Sequence, residues 1–285
     1  MTDPTLVPLN ALAGVRVALS VSESQDLDRL GLTPRHLDLV VAEVARAVIL
    51  AGGTVVYGGR IRPAGFTQVV IDEIHRYGDD RKALEIYVPA SEHCDISRED
   101  LVEIDQRLGT TGALYLLTPD GESQSVKQRQ CHSVNGLGSS EAASLTAMRQ
   151  RVANDTDARI VLGGKLNGFR GSEPGVIEEA RLTLEAGRSL YVAGGYGGAA
   201  AAIARTLEFD SFHWAPQGFP AGVHSESIAV ALDSLRNAYS QKGNADGLSP
   251  EERRVLAVSH RPANIATAVV LGLSRITGGS SSGRD

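Results

Sequence analysis

The chain has 285 residues, 42% of them hydrophobic and only 5% aromatic, with 31 glycines and a formal net charge of −6. That length and apolar content suit one large α/β domain with a substantial core. The charge is modest and spread along the chain, so no basic stripe follows a nucleic-acid backbone and no polybasic patch meets a membrane; neither partner is expected.

The first residues, MTDPTLVPLN, carry no cationic start ahead of an apolar stretch, and no segment reaches the roughly eighteen apolar residues of a membrane span. The two cysteines, Cys94 and Cys131, are too few for a disulfide framework and lack metal-ligand spacing. They fit a reducing compartment, and the expectation is a cytoplasmic protein with no metal and no cofactor. The seven histidines are likewise scattered.

In chain order, residues 15–21 form the first β-rich apolar run. An amphipathic stretch over 34–51 follows, with Leu37, Val40, Val41, Val44, Ala45 and Val48 at helical spacing. Thr33 is placed to cap it and Pro34 to open it. Further strands are expected at 54–57, 84–88, 113–117, 159–162 and 189–193. Such runs alternating with helices predict a mainly parallel sheet with helices on both faces, which binds ligands at its strand C-termini. Residues 118–138 are polar and long enough for a flap, 243–249 form a second break, and 250–275 read as C-terminal helices. One domain is expected over 1–277, with a helical extension from about 240 and a frayed tail over 278–285.

Three strands end in glycine pairs: Gly58-Gly59-Arg60, Gly163-Gly164-Lys165 and Gly194-Gly195-Tyr196. Such pairs let backbone amides approach a phosphate, or they permit tight turns and close packing. Arg60 and Lys165 place charge beside two of them, and Tyr196 or Trp214 offers a face for an adenine ring. Ser20 and Ser22, in the first strand-to-helix turn, either bond a phosphate or ribose or cap the turn. No G-x-G-x-x-G occurs after the first strand, and no G-x-S-x-G follows any of the expected strands. Glu178 and Glu179 open a helix at 175–180, where they gain from its dipole or hold ribose hydroxyls.

At these residues the chain resembles the SLOG superfamily, the Rossmann-like group that takes in cytokinin-activating LOG enzymes, the DNA-processing protein DprA and the N-terminal region of TRPM channels. The runs 158–165, 168–169 and 174–180 look most like the branch found in bacterial antiviral Thoeris effectors. There the domain senses a cyclic ADP-ribose isomer and is fused to a sirtuin-like NADase, which has no counterpart in these residues. The resemblance implies a Rossmann-like fold and a homo-oligomeric, nucleotide-derived ligand sensor. It assigns Arg149, Lys165 and Glu179 to phosphate and ribose, with Ser20, Ser22, Gly58, Gly59, Arg60, Gly194 and Gly195 lining the rest; Gly175 and Glu178 are further ligand-binding candidates. The related LOG motif P-G-G-x-G-T-x-E-E keeps its Pro-Gly and paired carboxylates here, in Pro174, Gly175, Glu178 and Glu179, but lacks the second Gly and the Gly-Thr. A phosphoribohydrolase using Glu179 and Arg149 is therefore the alternative.

Overall fold

A computed structural model describes residues 7, 8, 10–59, 61, 65–77, 81–131 and 141–281, with side chains to 278. In chain order, β1 (Arg16–Ser22) leads to α1 (Pro34–Leu50), β2 (Thr54–Gly58), α2 (Phe66–Tyr77), β3 (Leu84–Val88), α3 (Ala90–His93), α4 (Arg98–Leu108) and β4 (Gly112–Leu117). The second half holds β5 (Ser123–Gln124), α5 (Glu141–Asp155), β6 (Ala158–Gly163), α6 (Gly175–Glu185), β7 (Ser189–Ala193), α7 (Gly198–Thr206), α8 (Glu226–Lys242), α9 (Pro250–Val258) and α10 (Pro262–Ser281). All six expected strands form. The unforeseen β5 is a two-residue antiparallel addition to the edge of β4, inside the segment read as a flap.

The strand order is β5-β4-β3-β2-β1-β6-β7, and every pair except β4–β5 is parallel. The chain winds outward from β1 to β4, then returns to the other edge of β1 with β6. This is a Rossmann-like α/β arrangement, and β1–β6 is its switch point, where open α/β sheets place their ligands.

Strand alternation distributes the core. Val17, Leu19, Ile160, Leu162, Tyr191 and Ala193 face α1, α2, α9 and α10, whereas Ala18 and Val56 meet α5, and Val161, Leu190 and Val192 meet α6, α7 and α8. Each buried Val, Leu or Ile among them is worth about 1.5–3 kcal/mol. In α1 the predicted stripe is fully buried, and His36 Nδ1 lies 3.0 Å from the backbone nitrogen of the Thr33 cap.

Helix α8, from Glu226, buries Ile228, Ala231, Leu232, Leu235 and Ala238 at helical spacing. Helix α10 runs to Ser281, past residue 278 where a tail is expected. Between α8 and α9, the Asn244 side chain accepts from Leu190 N and donates to Leu190 O, both at 2.8 Å, closing the exposed edge of β7. Among the described residues, no helix is long and apolar enough to cross a membrane.

Candidate functional site

At the C-terminal end of the switch point lies a cleft of about 570 Å³. Its volume falls within the roughly 300–1,000 Å³ of small-molecule sites. Ser20 to Glu23 at the end of β1, Tyr57 to Gly59 at the end of β2, Leu145, Met148 and Arg149 of α5, and Gly175, Val176 and Glu179 of α6 form its walls. Lys165, Phe66, Phe169, Glu92 and Arg170 complete the rim.

A strand that is otherwise apolar carries Arg159 into the wall. Alternation directs it toward α6, where Nε donates to Thr183 Oγ1 at 2.7 Å and Nη1 to Ser20 Oγ at 2.6 Å and Glu179 at 3.2 Å. Burial lowers its pKa, and the neighbouring Glu179 acts in the opposite direction. On the cleft side, Arg149 Nε lies 3.5 Å from Glu179, while its Nη1 bonds Glu178. Glu178 is 1% exposed and also accepts from Thr146 Oγ1, so it anchors α5 to α6 and does not line the cleft. Arg149 Nε and Arg159 Nη2 are buried without hydrogen-bond partners.

Within this wall Glu179, ion-paired to two guanidiniums, is a hydrogen-bond acceptor at the cleft. Tyr57 stands near it, and burial, then the Glu179 charge, pushes its hydroxyl up to about 12. Helix α6 begins at Gly175 with Pro174 as a cap that supplies no side-chain hydrogen bond. Its first residues, Gly175 and Val176, line the cleft, where the helix dipole adds positive potential. Arg170 is occupied by Glu92 and Glu141. Among the described residues lining the cleft, Lys165 is the cation without an ion pair, and it is exposed.

Of the residues singled out from sequence, the fold thus brings Ser20, Ser22, Gly58, Gly59, Arg149, Lys165, Gly175 and Glu179 together. Arg60 lies outside the described residues. Gly163 and Gly164 shape the turn from behind: Gly163 has φ +58°, and a Cβ there would sit 2.5 Å from the Ser22 carbonyl oxygen. The third pair is not at the cleft. A Cβ on Gly195 would meet the Ser259 carbonyl oxygen at 2.2 Å, and Tyr196, 1% exposed, donates to the His260 carbonyl. Helix α9 and the turn after it cover this end of β7, so the glycines serve close packing. Trp214 packs on Phe212, Phe219 and His260, away from the cleft lining, whose aromatic side chains are Tyr57, Phe66 and Phe169.

Several groups escaped the sequence reading. A charge inside the apolar run of 158–163 was the available signal for Arg159. Asp26, 0% exposed, accepts from the amides of Gly198 and Ala221 and from Arg29, pinning the start of α7 behind the site. Cys94 and Cys131, unrelated by sequence spacing, meet in space beside His93.

The family model described as SLOG cluster2 matches residues 11–244, spanning β1 through α8. Comparison with curated proteins finds no match.

Proposed function

Since the chain belongs to the SLOG cluster 2 family, whose membership points to nucleotide-related ligand binding or LOG-like chemistry, we propose that the cleft binds a nucleotide-derived small molecule of the ADP-ribose or cyclic ADP-ribose type. The observation that carries this reading is Lys165, without an ion pair, beside the N-terminal turn of α6 and the doubly ion-paired Glu179. A cation and helix N-terminal amides attract a phosphate. The carboxylate oxygens of Glu179 accept from ribose hydroxyls. Phe66, Phe169 and Tyr57 supply aromatic walls for a base.

The same reading extends the Thoeris-like runs to a role: a cytoplasmic, homo-oligomeric sensor in antiviral defence, with neither nucleic acid nor membrane as partner. The test is a thermal-shift screen of NAD, ADP-ribose, cyclic ADP-ribose isomers, AMP and cytokinin nucleotides, with chromatography of each mixture. A binder at 100 times its Kd stabilises the native state by about 2.7 kcal/mol. A shift with the ligand recovered intact supports the sensor, and no shift with any of these nucleotides overturns it.

One observation favours a second reading. Arg149 and Glu179 adjoin on the cleft wall, the pair that an N-glycosidase resembling LOG enzymes would use to stabilise an oxocarbenium-like transition state. Free base in the chromatogram, lost in Glu179→Gln, would establish it.

A further inference from the structure

His93 closes α3 and is fully buried, yet nothing in the cleft uses its ring. Nε2 lies 2.9 Å from the Leu117 carbonyl oxygen. A carbonyl only accepts, so Nε2 holds the proton and Nδ1 presents a lone pair. That lone pair faces two sulfurs, Cys94 Sγ at 3.7 Å and Cys131 Sγ at 3.9 Å. All three atoms lie within 4.8 Å of one another.

We infer that His93 Nδ1, Cys94 Sγ and Cys131 Sγ bind a thiophilic divalent cation of the zinc class. Tetrahedral bonds of about 2.3 Å to sulfur and about 2.0–2.1 Å to nitrogen space a sulfur and a nitrogen about 3.6 Å apart, and two sulfurs about 3.8 Å apart. The observed nitrogen–sulfur separations of 3.7 and 3.9 Å match this edge closely. One imidazole and two thiolates also suit zinc in softness and balance its charge.

The surroundings fit the same assignment. Metal-bound histidines commonly donate their second ring nitrogen to a carbonyl, as His93 does to Leu117. Arg129 Nε donates to Cys131 Sγ at 3.1 Å, while its Nη2 bonds the carbonyls of His93 and, at 2.9 Å, Ile96. This guanidinium clamps the segment before residue 132 onto α3. A Cys94–Cys131 disulfide would use the two sulfurs but leave the buried Nδ1 unpartnered, whereas a cation engages all three groups. Among the described residues the group has three members, which leaves a fourth position for water or an added ligand. Binding exchanges two S–H bonds for metal–sulfur bonds and releases two protons to solvent, with no electron transfer.

The position gives the site a consequence independent of the cleft's ligand. Glu92, one residue before His93, lines the cleft and pairs with Arg170. A cation at His93 would fix α3, and with it this part of the rim.

The test is a cobalt(II) titration of the full, phosphine-reduced chain, followed by zinc competition. Expected are a thiolate-to-cobalt charge-transfer band and tetrahedral d–d bands saturating at one ion per chain, bleached by zinc. Because His93 is buried, the variants are Cys131→Ser, at an exposed position, and Cys94→Ser. Each should weaken binding by more than the about 10–100-fold that loss of an outer-shell partner costs, with unchanged circular dichroism. Absence of the charge-transfer band in the reduced chain overturns the inference. So does equal affinity of wild type and Cys131→Ser, or a Cys94–Cys131 disulfide that persists under these reducing conditions with no metal bound.

Discussion

Arg159 on β6 donates through one nitrogen, Nη1, to Glu179 of α6 at 3.2 Å and to Ser20 of β1 at 2.6 Å. A single guanidinium therefore joins both strands of the switch point to the helix that faces the cleft. Breaking a buried ion pair costs about 3–5 kcal/mol when the remaining charge is left alone; Glu179 keeps Arg149 as a partner, so the lower end of that range applies. Arg159→Ala is expected to lower the unfolding free energy by that order, read as a lower urea midpoint with an unchanged m-value. A loss below about 1 kcal/mol, the scale of an exposed pair, would mean that Arg159 is not the keystone of this wall.

Lys165 separates binding from stability. It is exposed and without an ion pair, so Lys165→Ala should leave the ligand-free melting curve within about 0.5 kcal/mol of wild type. Loss of a charge-assisted hydrogen bond to phosphate costs about 1.5–3 kcal/mol, which weakens the nucleotide found in the screen about tenfold or more. Equal affinities in calorimetry would remove Lys165 from the site.

Tyr57 supplies a pH signature. Its pKa rises from 10.0 to about 12 in the folded chain, through burial first and the Glu179 charge second. The unfolded chain therefore loses this proton before the native one does. The associated stability is full below pH 10 and declines as pH climbs toward about 12, with a slope approaching about 1.4 kcal/mol per unit. Tyr57→Phe should flatten this part of the stability profile, measured by denaturant titration at stepped pH. Superimposable alkaline profiles would contradict the assignment.

Gly195 tests the covered glycine pair. A Cβ there overlaps the Ser259 carbonyl oxygen at 2.2 Å, so Gly195→Ala should destabilise by about 1–3 kcal/mol through overpacking. Nucleotide affinity of the folded fraction should not change. Weakened binding without loss of stability would return this turn to the ligand site.

Periodicity was sufficient for the main strands and for α1, because both are long enough for their buried faces to leave a pattern. Ser123–Gln124 had no such pattern: two polar residues form a strand only because β4 offers them an edge. The glycine pairs show the limit at the site. A glycine that lines a cleft and one that admits a carbonyl are identical in sequence, and the placement of α9 over β7 separates Gly195 from Gly59. Glu178 and Glu179 are adjacent residues with opposite fates for a similar reason. Helical rotation directs one to Arg149 and Thr146 in the interior and the other to the cleft. Asp26 and Cys131 depend on partners far along the chain, which local spacing does not encode.

The position of β1 bears on how the chain is made. Among the described strands it is made before the others, and β2, β3 and β4 follow directly to stack on one side of it at about 5–20 residues per second. Its other edge waits for β6, and Asp26 waits longer still for Gly198 and Ala221. A nascent chain halted before β6 would display half a sheet with a bare β1 edge, a template for aggregation. It would also lack the α6 wall of the cleft. A complete cleft thus doubles as a check that translation has passed α6, since no shorter product contains both of its sides.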